Sequence, residues 1–328
     1  MHPNKTCAVF AASLLLTLPM GAAHAKDTGY IFVSSENDNA VTVLDGKSHA
    51  VVKTIPTGER PRDMKQSADR EKIFVIASNS ERIDIIDIAR LEVVGSIDVG
   101  EDPEMFDFST DGSKVYVSNE DDGEVSVVDV AKNEIVAKIE VGEEPEGVMI
   151  SPDGTRLYVT SEVANMVHVI DPATNEIVAN VVVGNRPRRF ASTPDGGEIW
   201  VTNELGGAVT ILDGSTHAVK GTVAFAPKGF RAEDVTPVGV TMTRDGKTAY
   251  VTLGRANHFA VVDVASREVK DYVLVGQRAW GATLSRDESR LVIVNGLSDD
   301  ISIVDTASNK VLRSVPVGRV PHTAVIDD

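Results

Sequence analysis

The sequence predicts an all-β fold, a seven-bladed β-propeller of four-stranded antiparallel blades whose C-terminal strand joins the N-terminal blade and closes the ring. Three observations predict it. An alternating apolar phrase ending in aspartate occurs seven times, at Asp45, Asp87, Asp129, Asp171, Asp213, Asp263 and Asp305. The intervals are 42 residues, except for 50 between Asp213 and Asp263, and a fixed period of this length marks a repeat architecture. Each period carries four short runs of period-two apolar residues, mostly Val and Ile, without helical periodicity.

The elements follow in chain order. Residues 1–25 read as a secretory leader: Lys5 is its positive charge, Ala8 to Leu18 its apolar stretch, and Ala23-His24-Ala25 its cleavage site. The expectation is export to the periplasm, cleavage after Ala25, and a single propeller domain over residues 26–328. Ala8 to Leu18 is too short for a membrane span, and no other stretch approaches that length. The only cysteine, Cys7, lies inside the leader, so the mature chain offers neither a disulfide nor a thiolate ligand.

Within a period, Gly147-Val-Met-Ile150 is a first strand, closed by the turn Ser151-Pro-Asp-Gly154. Leu157 to Thr160, Val167 to Ile170 and Glu176 to Val183 are the second, third and fourth. Prolines open the units at Pro61, Pro103, Pro145, Pro187, Pro237 and Pro321, with Ala279 at the sixth position. The chain enters at Tyr30 in a second strand and ends with His322 to Asp327 as a first strand. Pairing those two closes the ring and removes a sheet edge that would template aggregation. The seven aspartates, each between a strand and a turn, are expected to accept local backbone N–H bonds.

The formal net charge is −17, and Lys5 is the only charged residue of the leader. A strongly acidic chain is a poor partner for nucleic acid or anionic membrane. It is read as a soluble exported monomer.

The second-strand phrases Tyr116-Val-Ser-Asn119, Tyr158-Val-Thr-Ser161, Trp200-Val-Thr-Asn203 and Tyr250-Val-Thr-Leu253 resemble the Tyr-Val-Thr-Asn (YVTN) family of β-propellers. The ordered series Arg60-Pro-Arg62, Asp102-Pro-Glu-Met-Phe106, Glu144-Pro-Glu-Gly147, Pro237-Val-Gly239 and Leu274-Val-Gly-Gln-Arg-Ala-Trp280 narrows the likeness. It resembles the exported propeller associated with pyrroloquinoline quinone (PQQ)-dependent catabolism. That resemblance implies a place beside PQQ-dependent alcohol oxidation, with a periplasmic PQQ-dependent dehydrogenase or a cytochrome as partner; it does not imply an activity. PQQ dehydrogenases have eight blades and a Thr-Gly-x-x-x-Trp docking motif. Here the two tryptophans, Trp200 and Trp280, lie outside any such motif. Cys-x-x-Cys-His is absent, so no covalent haem is expected.

Candidate site residues come from positions where the blades differ. The loop into each first strand and the loop joining the second and third strands are expected on one face, around the channel mouth. Flanking the proline position are Arg60 and Arg62, Glu104, Glu146, Arg186 and Arg188, Arg278 and Trp280, and His322. These either pair with one another across blades or orient a polar ligand. Trp280 is read as an aromatic wall and His322 as the group that titrates near neutral pH. The second loops carry Glu36, Glu120, Glu162 and Glu204, read as register or surface charge more than as a metal site. The eight extra residues before Pro237 place Phe230 and Arg231 in a loop expected to reach over the channel or toward a partner.

Three functions stay open. The leading one is a non-catalytic propeller binding a protein or small ligand in PQQ-linked oxidation, since no complete catalytic set is present. The second is a lactonase-like hydrolase using His322, Glu104, Glu146 and Arg188. The third is a carrier of PQQ or non-covalent haem on Arg60, Arg62, Arg186, Arg188 and Arg278.

Overall fold

The computed structural model describes Met1 and residues 27–328; the expected leader cleavage at Ala25 lies outside the described residues. Seven four-stranded antiparallel sheets form the ring. The blade read above comprises Pro145–Ile150, Leu157–Ser161, Met166–Asp171 and Glu176–Val182, from channel to rim. The outer strand alternates between exposed and half-buried residues, while the second and third strands are buried on both faces. The reason is stacking: each blade covers the next. Tyr116, Val125 and Val127 of one blade share a cluster with Val148, Leu157 and Val159 of its neighbour. Burying each such side chain contributes about 1.5–3 kcal/mol.

The ring closes as the sequence predicts. Pro321–Asp327 lies antiparallel to Tyr30–Ser35, with Ile31 opposite Ile326 and Phe32 opposite Val325. Asp327 locks the seam, accepting bonds from Thr28 N at 2.9 Å, Thr28 Oγ1 at 2.7 Å and Gln66 Nε2 at 2.8 Å. The seven repeat aspartates are turn fixtures. Asp45 Oδ1 accepts from Ser48 N at 2.7 Å and Asp213 Oδ1 from Thr216 N at 2.8 Å. The remaining five make the same kind of contact.

Two backbone devices position the channel residues. The residue preceding the inner strand is left-handed in six blades, with φ of 57° at Arg60, 56° at Arg186 and 56° at Arg278. The N–H of each of these three is held by an asparagine of the preceding blade, Asn39, Asn165 or Asn257. The second device is glycine two residues after the opening proline. A Cβ on Gly147 would overlap the Arg188 carbonyl of the next blade, and one on Gly239 the Trp280 carbonyl. Gly147→Ala is therefore expected to lose about 1–3 kcal/mol, read as a lower midpoint in urea unfolding at unchanged slope.

The insertion changes one blade. Its inner strand shrinks to Val240–Met242, preceded by a 3-10 turn at Ala232–Asp234. Contrary to expectation, the loop does not reach over the channel. Phe230 packs edge-on against His258 of its own blade at 5.3 Å. Arg231 bonds back to Asp234 at 2.8 Å and Glu233 at 3.1 Å. Local partners satisfy both side chains, so nothing draws them to the channel.

Candidate functional site

The two loop sets do open on one face, around a cavity of about 310 Å³ at the channel mouth. Arg60, Arg62, Arg186, Arg188, Arg278, Trp280 and Glu146 line it, joined by Glu36, Glu120, Glu204 and Arg255. Glu104 and His322 sit behind this lining, 0% and 1% exposed.

The charges pair across blades. Arg62 contacts Glu104, and Arg188 contacts Glu162 and, at 2.8 Å, Glu146. Arg186 meets Glu162 at 2.7 Å and Glu204 at 3.2 Å. Arg60 meets Asp102 at 3.1 Å, Glu104 at 3.5 Å and Glu36 at 3.6 Å. Glutamates of the second loops thus serve as counter-ions of the ring arginines. Carboxylate oxygens of Asp102, Glu104 and Glu120 lie within 4.8 Å of one another, and Arg60 and Arg62 supply counter-charge to that cluster.

Pairing is incomplete on the opposite side. Among the described residues Arg255 and Arg278 form no ion pair. Arg278 lies 4.4 Å from the Trp280 ring centroid, and Arg188 and Arg189 also stack on that ring, at 5.2 and 5.8 Å. A cation over an indole face is attracted by its quadrupole. Trp280 is the aromatic wall expected, and its buried Nε1 has no hydrogen-bond partner.

Protonation departs from expectation at His322. Burial, then Arg189, Arg62 and Arg188, push its pKa well below the usual histidine range. Nε2 faces Arg189 Nη2 at 3.0 Å and Arg62 Nε at 3.4 Å. It therefore accepts, and Nδ1–H donates to Thr323 Oγ1 at 2.9 Å. His322 is a fixed neutral acceptor and does not titrate near neutral pH. Carboxylates take that range instead. Burial raises Glu104 well above the carboxylate range. Burial, with repulsion from Glu146, takes Glu162 to about 7 against the pull of Arg188. Burial followed by Glu146 also raises Glu120, while a hydrogen bond with Glu104 pulls it down. Burial would raise Glu146 too, but Arg188, Arg62 and Arg189 outweigh it and hold it at about 2.

Sequence reasoning missed Arg189, and it marked the phrase Arg255-Ala-Asn-His258 as distinct without naming Arg255 as a site residue. Arg255 follows Gly254, which stands where four other blades carry glutamate, and that was a legible signal. Arg189 sits one residue beyond the ring position, and nothing local marks it.

No curated protein matches the chain in sequence. A family model described as a YNCE-like beta-propeller matches residues 15–156. A second, described as a choice-of-anchor I domain, matches residues 120–291, more than half of the chain. The chain belongs to the choice-of-anchor I domain family, as a β-propeller. Among solved structures, the propeller is similar to Pseudomonas aeruginosa periplasmic gluconolactonase PpgL, with TM-score 0.77 and 21% identity over 91% of this chain and 99% of that one. It is similar to Kuenenia stuttgartiensis hydrazine synthase, with TM-score 0.77 and 21% identity over 90% and 99%. A candidate 6-phosphogluconolactonase of Bacteroides uniformis gives TM-score 0.75 and 14% identity over 90% and 98%. At these identities the likeness shows the shared fold. No helix among the described residues is long and apolar enough to cross a membrane.

Proposed function

We propose that the propeller hydrolyses a polyhydroxylated lactone in the arginine-lined cavity. One observation carries the reading: a single concavity holds carboxylates displaced in opposite directions beside donors that have no protein acceptor. Sites with split carboxylates are where acid and base roles separate. The gluconolactonase-type relatives share the fold, which supports the reading without assigning a residue.

Glu120 is the general base: it lines the cavity, is half-buried, and is raised toward neutrality. Glu104 lies behind it, held by Arg62 and Arg60, with a carboxylate oxygen within 4.8 Å of that of Glu120. Trp280 Nε1–H and Arg278 polarise the lactone carbonyl, a preorganised donor set of the oxyanion-hole type. Glu120 takes a proton from water, whose oxygen bonds to the carbonyl carbon. The ring C–O bond then breaks and its oxygen leaves as an alcohol, receiving the proton from Glu120. The hydroxy-acid product carries a carboxylate, for which the cavity's arginines are the counter-ions.

The test is turnover of aldonolactones by the purified protein, with and without calcium. Glu120→Gln is expected to lower kcat by about 10²–10⁴-fold at unchanged melting temperature. The acid limb of kcat/KM is expected at higher pH than for a free glutamate, because Glu120 must be ionised and burial raises it. Absence of turnover in either condition overturns the proposal. The PQQ-linked reading is favoured by a different observation, the unpaired Arg255 and Arg278, which suit a polycarboxylate. Tight PQQ binding without lactone turnover, weakened by Arg278→Ala, would select it. Export to the periplasm belongs to both readings.

A further inference from the structure

The channel has a second mouth. Its cavity of about 380 Å³ is lined by the far halves of the inner strands, and its character is different. Met105, Val148, Phe190 and Ala282 supply apolar wall, beside the polar Asp63, Lys65, Gln66 and Thr283. Arg189 lines the same cavity. Its Nη2 reaches His322 Nε2 at 3.0 Å, on an inner strand three blades away around the ring. The Arg62–His322–Arg189 bridge thus crosses the channel and separates this cavity from the one described above.

Arg189 is only 8% exposed, forms no ion pair among the described residues, and has a buried Nε with no hydrogen-bond partner. Its guanidinium is answered by a neutral imidazole. Burial brings its pKa down to about 10, which still leaves it charged at neutral pH. Glu146 and Asp63 offset its charge in part without forming an ion pair with it, and each has another partner. Lys65 pairs with Asp107 at 2.9 Å. Asp63, pushed upward by burial, accepts the Phe106 N–H at 3.4 Å. Glu146 is engaged by Arg188 at 2.8 Å. A buried cation without a counter-ion is costly, and a guanidinium fork matches a carboxylate geometrically.

We propose that this second mouth is a binding site for a small monocarboxylate with an apolar body, its carboxylate on Arg189 and its body against the apolar wall. Lys65 is paired with Asp107 and Asp63 accepts a backbone N–H, so Arg189 is the one lining cation left for an anion, and with Met105, Val148, Phe190 and Ala282 beside it the cavity fits a monocarboxylate better than a polyanion or a sugar. The site is independent of the lactone reading, because it lies across the bridge and uses none of the proposed catalytic groups.

Hexanoate is the probe, hexan-1-ol the neutral control of similar shape, and inorganic phosphate the polar anion control. Binding is read by calorimetry and by tryptophan fluorescence, since the Trp280 ring centroid is 5.8 Å from Arg189 Cζ. Hexanoate is expected to bind saturably, hexanol at least about tenfold more weakly, and phosphate not to compete. Arg189→Met is expected to weaken hexanoate by about tenfold or more. Met149→Trp, which narrows the wall without touching the bridge, also weakens it and decides the matter if Arg189→Met fails to fold. Equal affinity for hexanoate and hexanol, no hexanoate binding at millimolar concentration, or binding indifferent to Met149→Trp would each overturn the proposal.

Discussion

Glu146→Ala should lower the unfolding free energy by about 3–5 kcal/mol. Glu146 is 2% exposed and stands between Arg188 Nη2 at 2.8 Å and Arg62 Nη2 at 3.9 Å. Both arginines are themselves buried, so removing the carboxylate leaves Arg62 with Glu104 and Arg188 with Glu162 as their remaining counter-ions, away from water. Denaturant unfolding measures the loss; a change below about 1 kcal/mol would mean that water or Glu162 takes over the charge. The pH dependence has a defined sign. Glu146 is depressed from an ordinary 4.5 to about 2. Its contribution is therefore fully present above about pH 4.5 and disappears as pH falls through about 2. Glu162 acts oppositely, since its value is raised to about 7. Stability assigned to it is present below about pH 4.5 and is lost as pH rises through 7. The alanine variant at Glu146 should flatten the acid side of the wild-type stability profile and, by removing its repulsion of Glu162, move the neutral-side loss to lower pH.

Truncation after Val320 should abolish the cooperative monomer. The deleted strand, Pro321–Asp327, is the inner strand of the N-terminal blade. Without it Tyr30–Ser35 becomes an open edge carrying Ile31, Phe32 and Val33, all buried in the closed ring. Such an edge pairs with other chains. The loss also removes Asp327 from Thr28, Gln66 and Arg70, and His322 from the channel bridge. Size-exclusion chromatography should show aggregates, and calorimetry no single transition. A synthetic peptide of residues 318–328 added in trans should restore the monomer. A truncated chain that melts in one step at the wild-type temperature would show that closure is dispensable.

How legible each feature was depended on how local its physics is. The Pro145 blade was readable strand by strand, because alternation and the Ser151-Pro-Asp-Gly154 turn act over a few residues. Closure was readable for the same reason, from the strand types of Tyr30 and His322. The ring positions Arg62, Glu146, Arg188 and Trp280 were readable as a set, since the repeat numbers them. His322 was misjudged because its titration depends on three arginines from other blades. Phe230 and Arg231 do not reach over the channel, because a long loop can satisfy itself with His258 and Asp234, and an insertion's length does not show which way it folds.

By itself, then, the sequence determined the blade count, the strand order, the closing strand and which residues face the channel, all consequences of period-two patterning and turn chemistry repeated at a constant interval. Only the tertiary structure decided which of those charges meet. Arg189 and His322 are 133 residues apart in the chain and 3.0 Å apart across the channel. Ring closure creates that contact, and burial then sets the protonation of everything around it.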